Sequence, residues 1–224
     1  MSELHIWEPI SVKTTPEDNA NTYNQLLKNA IINRAIGRGL SEGIEEIHKL
    51  VNSICSWLSN TDFYTAPAST RFHESCAGGL VMHSLKVYNE VLQLAQLTHF
   101  KSANIDSAVL TALTHDWCKI NQYEPYMKNV KDNDGTWHQV LSYKTREEDT
   151  SVRLGHGPQS LIMLMQFCNS RYTCLTSDEM AAIRWHMYTY DVTSYDIRDL
   201  NICNQNIPLV HLIQFADQLA IVNY

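Results

Sequence analysis

Apolar positions recur at spacings of three and four along most of this chain, the period of helices with one buried face. The clearest run is Ile44, Ile47, Val51, Ile54 and Leu58, with Ser41 standing where a cap would open the helix. Upstream, Thr15, Pro16, Glu17 and Asp18 form a helix start with proline and acids in its first turn. Ile31, Ile32 and Ile36 continue that helix, and Gly37 or Gly39 ends it. A short extended segment over residues 5–12, interrupted by Pro9, precedes it. Residues 60–76 are polar and loop-like. A long helix is expected from Gly79 towards Thr98, with Leu80, Val87, Val91 and Leu94 on its apolar side, and a further one over residues 105–115.

After Ile120 the pattern changes. Asp134-Gly135 is a turn signal flanked by Tyr126, Val130, Trp137, Val140 and Tyr143, which predicts a β-hairpin or at least a long excursion. Helical patterning resumes at Gly157-Pro158 and runs from Leu161 to Phe167. Thr176 and Glu179 have the spacing of a capping box, ahead of a helix carrying Arg184, Trp185 and His186. Pro208 opens a last helix through Leu209, Leu212, Ile213, Phe215, Ala216 and Ala220. The expected fold class is all-α: an N-terminal arm over residues 1–40, then one helical domain over 41–224 with a short hairpin-like insertion.

Composition agrees. The 224 residues suffice for one well-buried core, and 44% apolar against 18% charged is a globular balance. With only 8 glycines and 6 prolines the chain suits helices better than tight-turned sheets. The net charge of −7 and the lack of any basic run argue against a partner made of long nucleic acid. They favour a small anion in a local pocket, where bound cations could offset the acidity. The six cysteines, among them Cys55, Cys76 and Cys118, include no C-x-x-C pair, so reduced thiols in a cytoplasmic protein are expected. No signal pattern opens the chain, and no apolar run is long enough to cross a membrane.

Two features carry chemistry. His115-Asp116 closes an apolar helix and offers an imidazole and a carboxylate from one short piece of chain. As an isolated dipeptide it would more often be an exposed pair. Asp217 sits among Phe215, Ala216, Leu219 and Ala220, where burying a carboxylate requires a partner or a cation; the alternative is a solvent-facing Asp on an amphipathic helix. His83, His156 and His186 lie on three further helices or helix starts. Any one alone would be read as a satisfied polar group. Together they match the way a helical bundle builds a metal site, by pointing side chains inward from several helices.

The stretch Gly78-Gly79-Leu80-Val81-Met82-His83-Ser84-Leu85, then His115-Asp116-Trp117-Cys118-Lys119, then Asp217, strongly resembles the HD-domain superfamily of metal-dependent phosphohydrolases, over residues 70–220. The resemblance implies a helical HD-domain bundle with His83, His115, Asp116 and Asp217 as primary ligands. Asp116 would bridge two ions where two are bound. His156 and His186 fall where two-metal members, notably an exoribonuclease branch that the chain resembles more loosely, supply extra histidines. The implied cofactor is one or two divalent ions (Mn, Mg, Fe, Ni, Co or Zn), and the implied reaction is attack of metal-activated water on a phosphate ester.

Lys119, one turn after Asp116, could reach a phosphate or a carboxylate, or be merely exposed. Arg184 could neutralise a phosphate, and Arg71 and His73 could line the pocket. The expected function is thus hydrolysis of a phosphate ester of a nucleotide or short oligonucleotide, with Asp116, Lys119 and Arg184 as catalytic residues. The alternative is a non-catalytic metal- or nucleotide-binding module on the same fold.

Overall fold

Where each helix sits follows from which of its faces are buried. The computed structural model describes residues 4–40, 43–146, 154–168 and 174–222. The predicted starts and stops map onto α1 (Pro16–Gly37), α2 (Ile44–Ser59), α3 (Gly79–Leu94), α4 (Ile105–Thr114), α5 (His156–Met165), α6 (Ser177–Trp185) and α8 (Pro208–Val222). The strands β1 (Tyr123–Lys131) and β2 (Trp137–Thr145) lie between α4 and α5. One helix, α7 (Ile197–Asn206), has no forerunner in the apolar pattern. The described chain is mainly helical with one small two-stranded sheet. None of its helices is long and apolar enough to cross a membrane.

The core is organised around α3 and α4. Leu80, Val81, Leu85 and Tyr88 of α3 face one apolar cluster, shared with α1, α2 and part of α4. Val87 and Val91 face a second, shared with Ala108, Ala112, Leu200 of α7 and the apolar side of α8. Both central helices are therefore buried nearly all round, as helices with little polar surface must be. His83 and the pair His115-Asp116 ride on them and are carried into the interior.

Helix α3 stops short of the predicted end, and a 3-10 turn at Thr98–Phe100 tucks the Phe100 ring into the second cluster. The capping box on α6 forms with both of its bonds. The cap predicted at Ser41 lies outside the described residues.

The described part of the N-terminal arm, from residue 4 on, is tied down by asparagines. Asn33 donates to the carbonyl of His5 and accepts from its N–H; Asn89 does the same for Ile10, and Asn19 for Lys13. Each amide side chain stands in for a neighbouring strand at one backbone position, His5, Ile10 and Lys13. Helix α1 itself enters the first cluster through Tyr23 and Leu27, both fully buried.

The Asp-Gly signal produces a true hairpin, with Met127 opposite Leu141 and Lys131 opposite Trp137. Its root is buried through Tyr123 and Tyr143, whereas Met127, Trp137 and Leu141 are exposed.

Candidate metal centre

The geometry of the centre begins at the end of α4. The Tyr23 hydroxyl donates to the carbonyl of Leu113 at 2.6 Å and accepts from the Trp117 indole at 2.9 Å, pinning the chain on both sides of His115-Asp116. The backbone then turns through a 3-10 segment, Trp117–Lys119, and the Cys118 N–H is held by Ser160 Oγ of α5. Both members of the pair end up buried.

Five of the expected ligands meet here. His83 Nε2 lies 3.0 Å from Asp217 Oδ1 and 3.5 Å from Asp116 Oδ2. His115 Nε2 lies 3.4 Å from Asp116 Oδ2 and 3.8 Å from Asp217 Oδ1, and His186 Nε2 is 3.6 Å from Asp116 Oδ1. Asp116 is thus the shared member, with one oxygen turned to His83 and His115 and the other to His186. Its ligand atoms join those of His115 and His186 in one compact group, and His83, His115 and Asp217 form another.

The ring nitrogens are oriented for ligation. His115 Nδ1 sits 2.8 Å from the Ala112 carbonyl and His186 Nδ1 2.8 Å from the Ile183 carbonyl. A carbonyl only accepts, so each Nδ1 carries a hydrogen, and in the neutral ring the lone pair is on Nε2, which faces Asp116. His115 Nε2, His186 Nε2 and Asp116 Oδ1 are all buried without a hydrogen-bond partner.

Two imidazole nitrogens without hydrogen-bond partners beside one carboxylate, His115 Nε2 at Oδ2 and His186 Nε2 at Oδ1, would be an expensive way to build a core. A cation resolves it. Two ligands bonded to one tetrahedral ion stand roughly 3.4 Å apart when each bond is about 2.0–2.1 Å, and the His115–Asp116 and His186–Asp116 spacings are 3.4 and 3.6 Å. These buried His/Asp clusters can hold a metal ion.

The electrostatics follow from the same packing. Burial pushes the Asp116 carboxyl up, but Lys119 and then His115 outweigh it and hold the group well below the usual carboxylate range. Asp217 is likewise lowered against its burial, through the His83 bond and the nearby His115. Burial opposes a charge on His115, yet Asp116 and Asp217 raise it above its ordinary value. Lys119 is itself buried and raised, with burial overcome by Asp116; its Nζ donates to Asp116 Oδ2 at 2.6 Å. The expected carboxylate contact of Lys119 forms, and the residue is not exposed.

His156, the first residue of α5, comes in from the side. Its Nδ1 lies 3.5 Å from Cys118 Sγ, and these two with Asp116 make a further group of possible ligands. Burial lowers the pKa of His156 and, with Asp116, pushes the Cys118 thiol up to about 12. The close approach of α5 to α6 requires glycine: a Cβ on Gly157 would stand 2.1 Å from the Arg184 carbonyl oxygen. That approach is what brings His156 within reach. Asp191, which nothing in the sequence singles out, accepts the Gly157 N–H at 3.1 Å and anchors the start of α5.

Arg184 points elsewhere. Its guanidinium stacks on the Trp185 ring at 3.9 Å and reaches Asp196 at 3.7 Å.

On the opposite side, Glu74 Oε2 faces His83 Nδ1 at 3.7 Å, so that ring has a carboxylate beside each nitrogen. Lys86 donates to the other Glu74 oxygen at 2.6 Å. Glu74 sits in a loop with no regular pattern, so spacing gave no means of finding it. The loop is pressed onto α3 so tightly that a Cβ on Gly79 would stand 2.0 Å from the Glu74 carbonyl oxygen, which accounts for that half of the Gly78-Gly79 pair. His73 of the same loop packs on His83 with ring centroids 4.7 Å apart; burial and His83 lower it to about 4. Arg71 is exposed. No family model, no curated protein and no solved structure matches this chain.

Proposed function

We propose that this protein is a metal-dependent phosphohydrolase acting on a phosphate ester of a nucleotide or short oligonucleotide. The observation that carries the reading is the convergence of three buried atoms without partners, His115 Nε2, His186 Nε2 and Asp116 Oδ1, in a helical interior. The resemblance of His83, His115-Asp116 and Asp217 to the HD pattern adds the reaction class, and the acidic composition favours a small substrate over a long one.

Divalent cations bound here would supply Lewis acidity, polarising a phosphoryl oxygen and lowering the pKa of a bound water. The protein's own part is orientation. Asp116 offers its two oxygens to two histidine sets, the arrangement expected of a carboxylate shared between two ions. Ala112 and Ile183 hold the imidazoles of His115 and His186 in the tautomer that ligates. Lys119 keeps Asp116 ionised and fixed in rotation, acting through that carboxylate. His83, buried between Asp217 and Glu74, is held on both edges.

Metal analysis of the purified protein should find divalent ions. A manganese-supplemented screen of nucleotides, cyclic nucleotides and short oligonucleotides should find a hydrolysed ester. Asp116→Ala should lose both metal and turnover. Turnover by that variant at the wild-type rate would refute the assignment of the site, and metal binding without any hydrolysis would favour the non-catalytic module.

A further inference from the structure

The side of the centre built by Cys118 and His156 differs in chemistry from the rest, because it contains sulfur. Cys118 lies two residues after Asp116 on the 3-10 segment, and its backbone is held against α5 by Ser160 Oγ at 3.0 Å. That bond sets the thiol beside the first residue of α5, with Sγ 3.5 Å from His156 Nδ1. The ligand atoms of Asp116, Cys118 and His156 all lie within 4.8 Å of one another. A second observation lies on the carboxylate this group shares with the rest of the centre: Asp116 Oδ1 and His186 Nε2, both on residues almost wholly buried, face each other at 3.6 Å without hydrogen-bond partners.

We propose that Cys118 is a metal ligand, which with His156 and Asp116 forms a sulfur-containing site for a borderline-soft divalent cation of the zinc type. Two ligands on one tetrahedral ion, a sulfur at about 2.3 Å and an imidazole nitrogen at about 2.0–2.1 Å, stand roughly 3.5 Å apart. The observed 3.5 Å separation of Sγ and Nδ1 has that value without any movement of the backbone. On binding, the sulfur–metal bond forms as the Sγ–H proton leaves to solvent, so the thiolate is the ligating species. Thiolate ligation biases a site towards zinc, cobalt or ferrous iron and away from magnesium and manganese, which prefer all-oxygen surroundings. The oxygen- and nitrogen-lined group of His83, His115 and Asp217 lacks this bias, so the two halves of the centre should differ in metal preference. The inference rests on the reading of this cluster as a two-cation centre, and the test separates the two.

The metal-free full-length protein is titrated with cobalt(II) while its absorption spectrum is recorded. The expected result is two bound cobalt ions and a near-ultraviolet thiolate-to-cobalt charge-transfer band. Cys118→Ser should remove that band and weaken zinc binding at this site by at least about tenfold, with manganese affinity nearly unchanged, whereas Cys76→Ser should keep the band.

Two bound cobalt ions with no charge-transfer band would overturn sulfur ligation and leave the two-cation reading standing. One bound cobalt with a band that Cys118→Ser abolishes would support the sulfur ligand and reject the second ion. A failure to bind cobalt at all would overturn both. Should Cys118→Ser not fold, alkylation of the unmodified protein gives the same answer. Zinc, but not magnesium, should protect Cys118 from the reagent when modification is mapped by mass spectrometry, and equal labelling with and without zinc would refute the proposal.

Discussion

Two of the buried polar clusters among the described residues are built on opposite rules. Around Glu179 every charge is met: Arg34 donates to both carboxylate oxygens, Ser107 Oγ to Oε1 at 2.6 Å and the Thr176 N–H to Oε2 at 2.8 Å. Around Asp116, by contrast, Lys119 meets one carboxylate oxygen, but Oδ1 and the Nε2 atoms of His115 and His186 are buried with no partner. The first cluster is closed and is there for structure; it ties α1 to α6 and α4. The second is open in the sense that only something with positive charge completes it. Both would look alike in an inventory of buried charges, and it is the hydrogen-bond accounting that separates structural polarity from a binding site.

The largest effect should come from opening the closed cluster. Arg34→Met leaves Glu179 buried with only Arg38, at 3.5 Å, as a cationic neighbour. It should cost about 3–5 kcal/mol in urea denaturation. The double variant Arg34→Met/Glu179→Leu should regain most of that, because an apolar pair leaves no buried charge behind.

Glu179 also sets a pH dependence. Burial raises its carboxyl, but Arg34 outweighs burial and lowers it from the ordinary 4.5. A lowered carboxylate contributes stability above its unfolded value and loses it as pH falls through its folded value. The stability difference between wild type and Glu179→Gln should therefore be full at about pH 6 and shrink steadily towards about pH 3. A difference that stayed constant over that range would contradict the assigned ion pair.

The contrast also explains what could be read from the sequence. Regular apolar spacing makes α2 legible, since Ile47, Val51, Ile54 and Leu58 are all buried and nothing polar interrupts them. The capping box was legible because both halves of it are local. In α1 the buried positions include Asn19, Asn33 and Arg34, whose partners lie as far away as Glu179, so the apolar period is broken and its place in the core is hidden. The short, amide-rich helix α7 buries only Leu200 and has almost no period to detect.

In the centre, His83, His115, Asp116, His186 and Asp217 could be picked out by type and motif, and the structure brings them together. Glu74 and Asp191 could not, because each enters from a segment whose approach depends on tertiary packing, against Gly79 and Gly155 respectively.

A middle-sized effect should come from completing the open cluster. A cation that binds only the folded state stabilises it by about 2.7 kcal/mol at a hundredfold excess over its dissociation constant. Manganese or zinc should therefore raise the unfolding free energy of wild type by that order, and chelation should reverse the gain. Arg34→Met should show the same increment from its lower baseline, since the two clusters share no side chain. Asp116→Ala should show none. An equal metal-dependent gain in Asp116→Ala would locate the binding outside this centre.

The smallest effect is the most diagnostic. In metal-free protein, His186 Nε2 contributes no hydrogen bond, so replacing the ring costs only the Nδ1 bond to Ile183 and a change of shape. His186→Gln, of similar volume, should change metal-free stability by no more than about 1 kcal/mol, against the several lost in Arg34→Met. The same substitution removes a nitrogen ligand, so in the presence of zinc it should lose part of the metal-dependent gain. A side chain held for structure behaves the other way round, with a large cost in the absence of metal and no further cost in its presence. The ratio of these two costs at His186, measured by denaturation with and without chelator, thus tests whether the unpartnered nitrogen is a defect of packing or half of a metal bond.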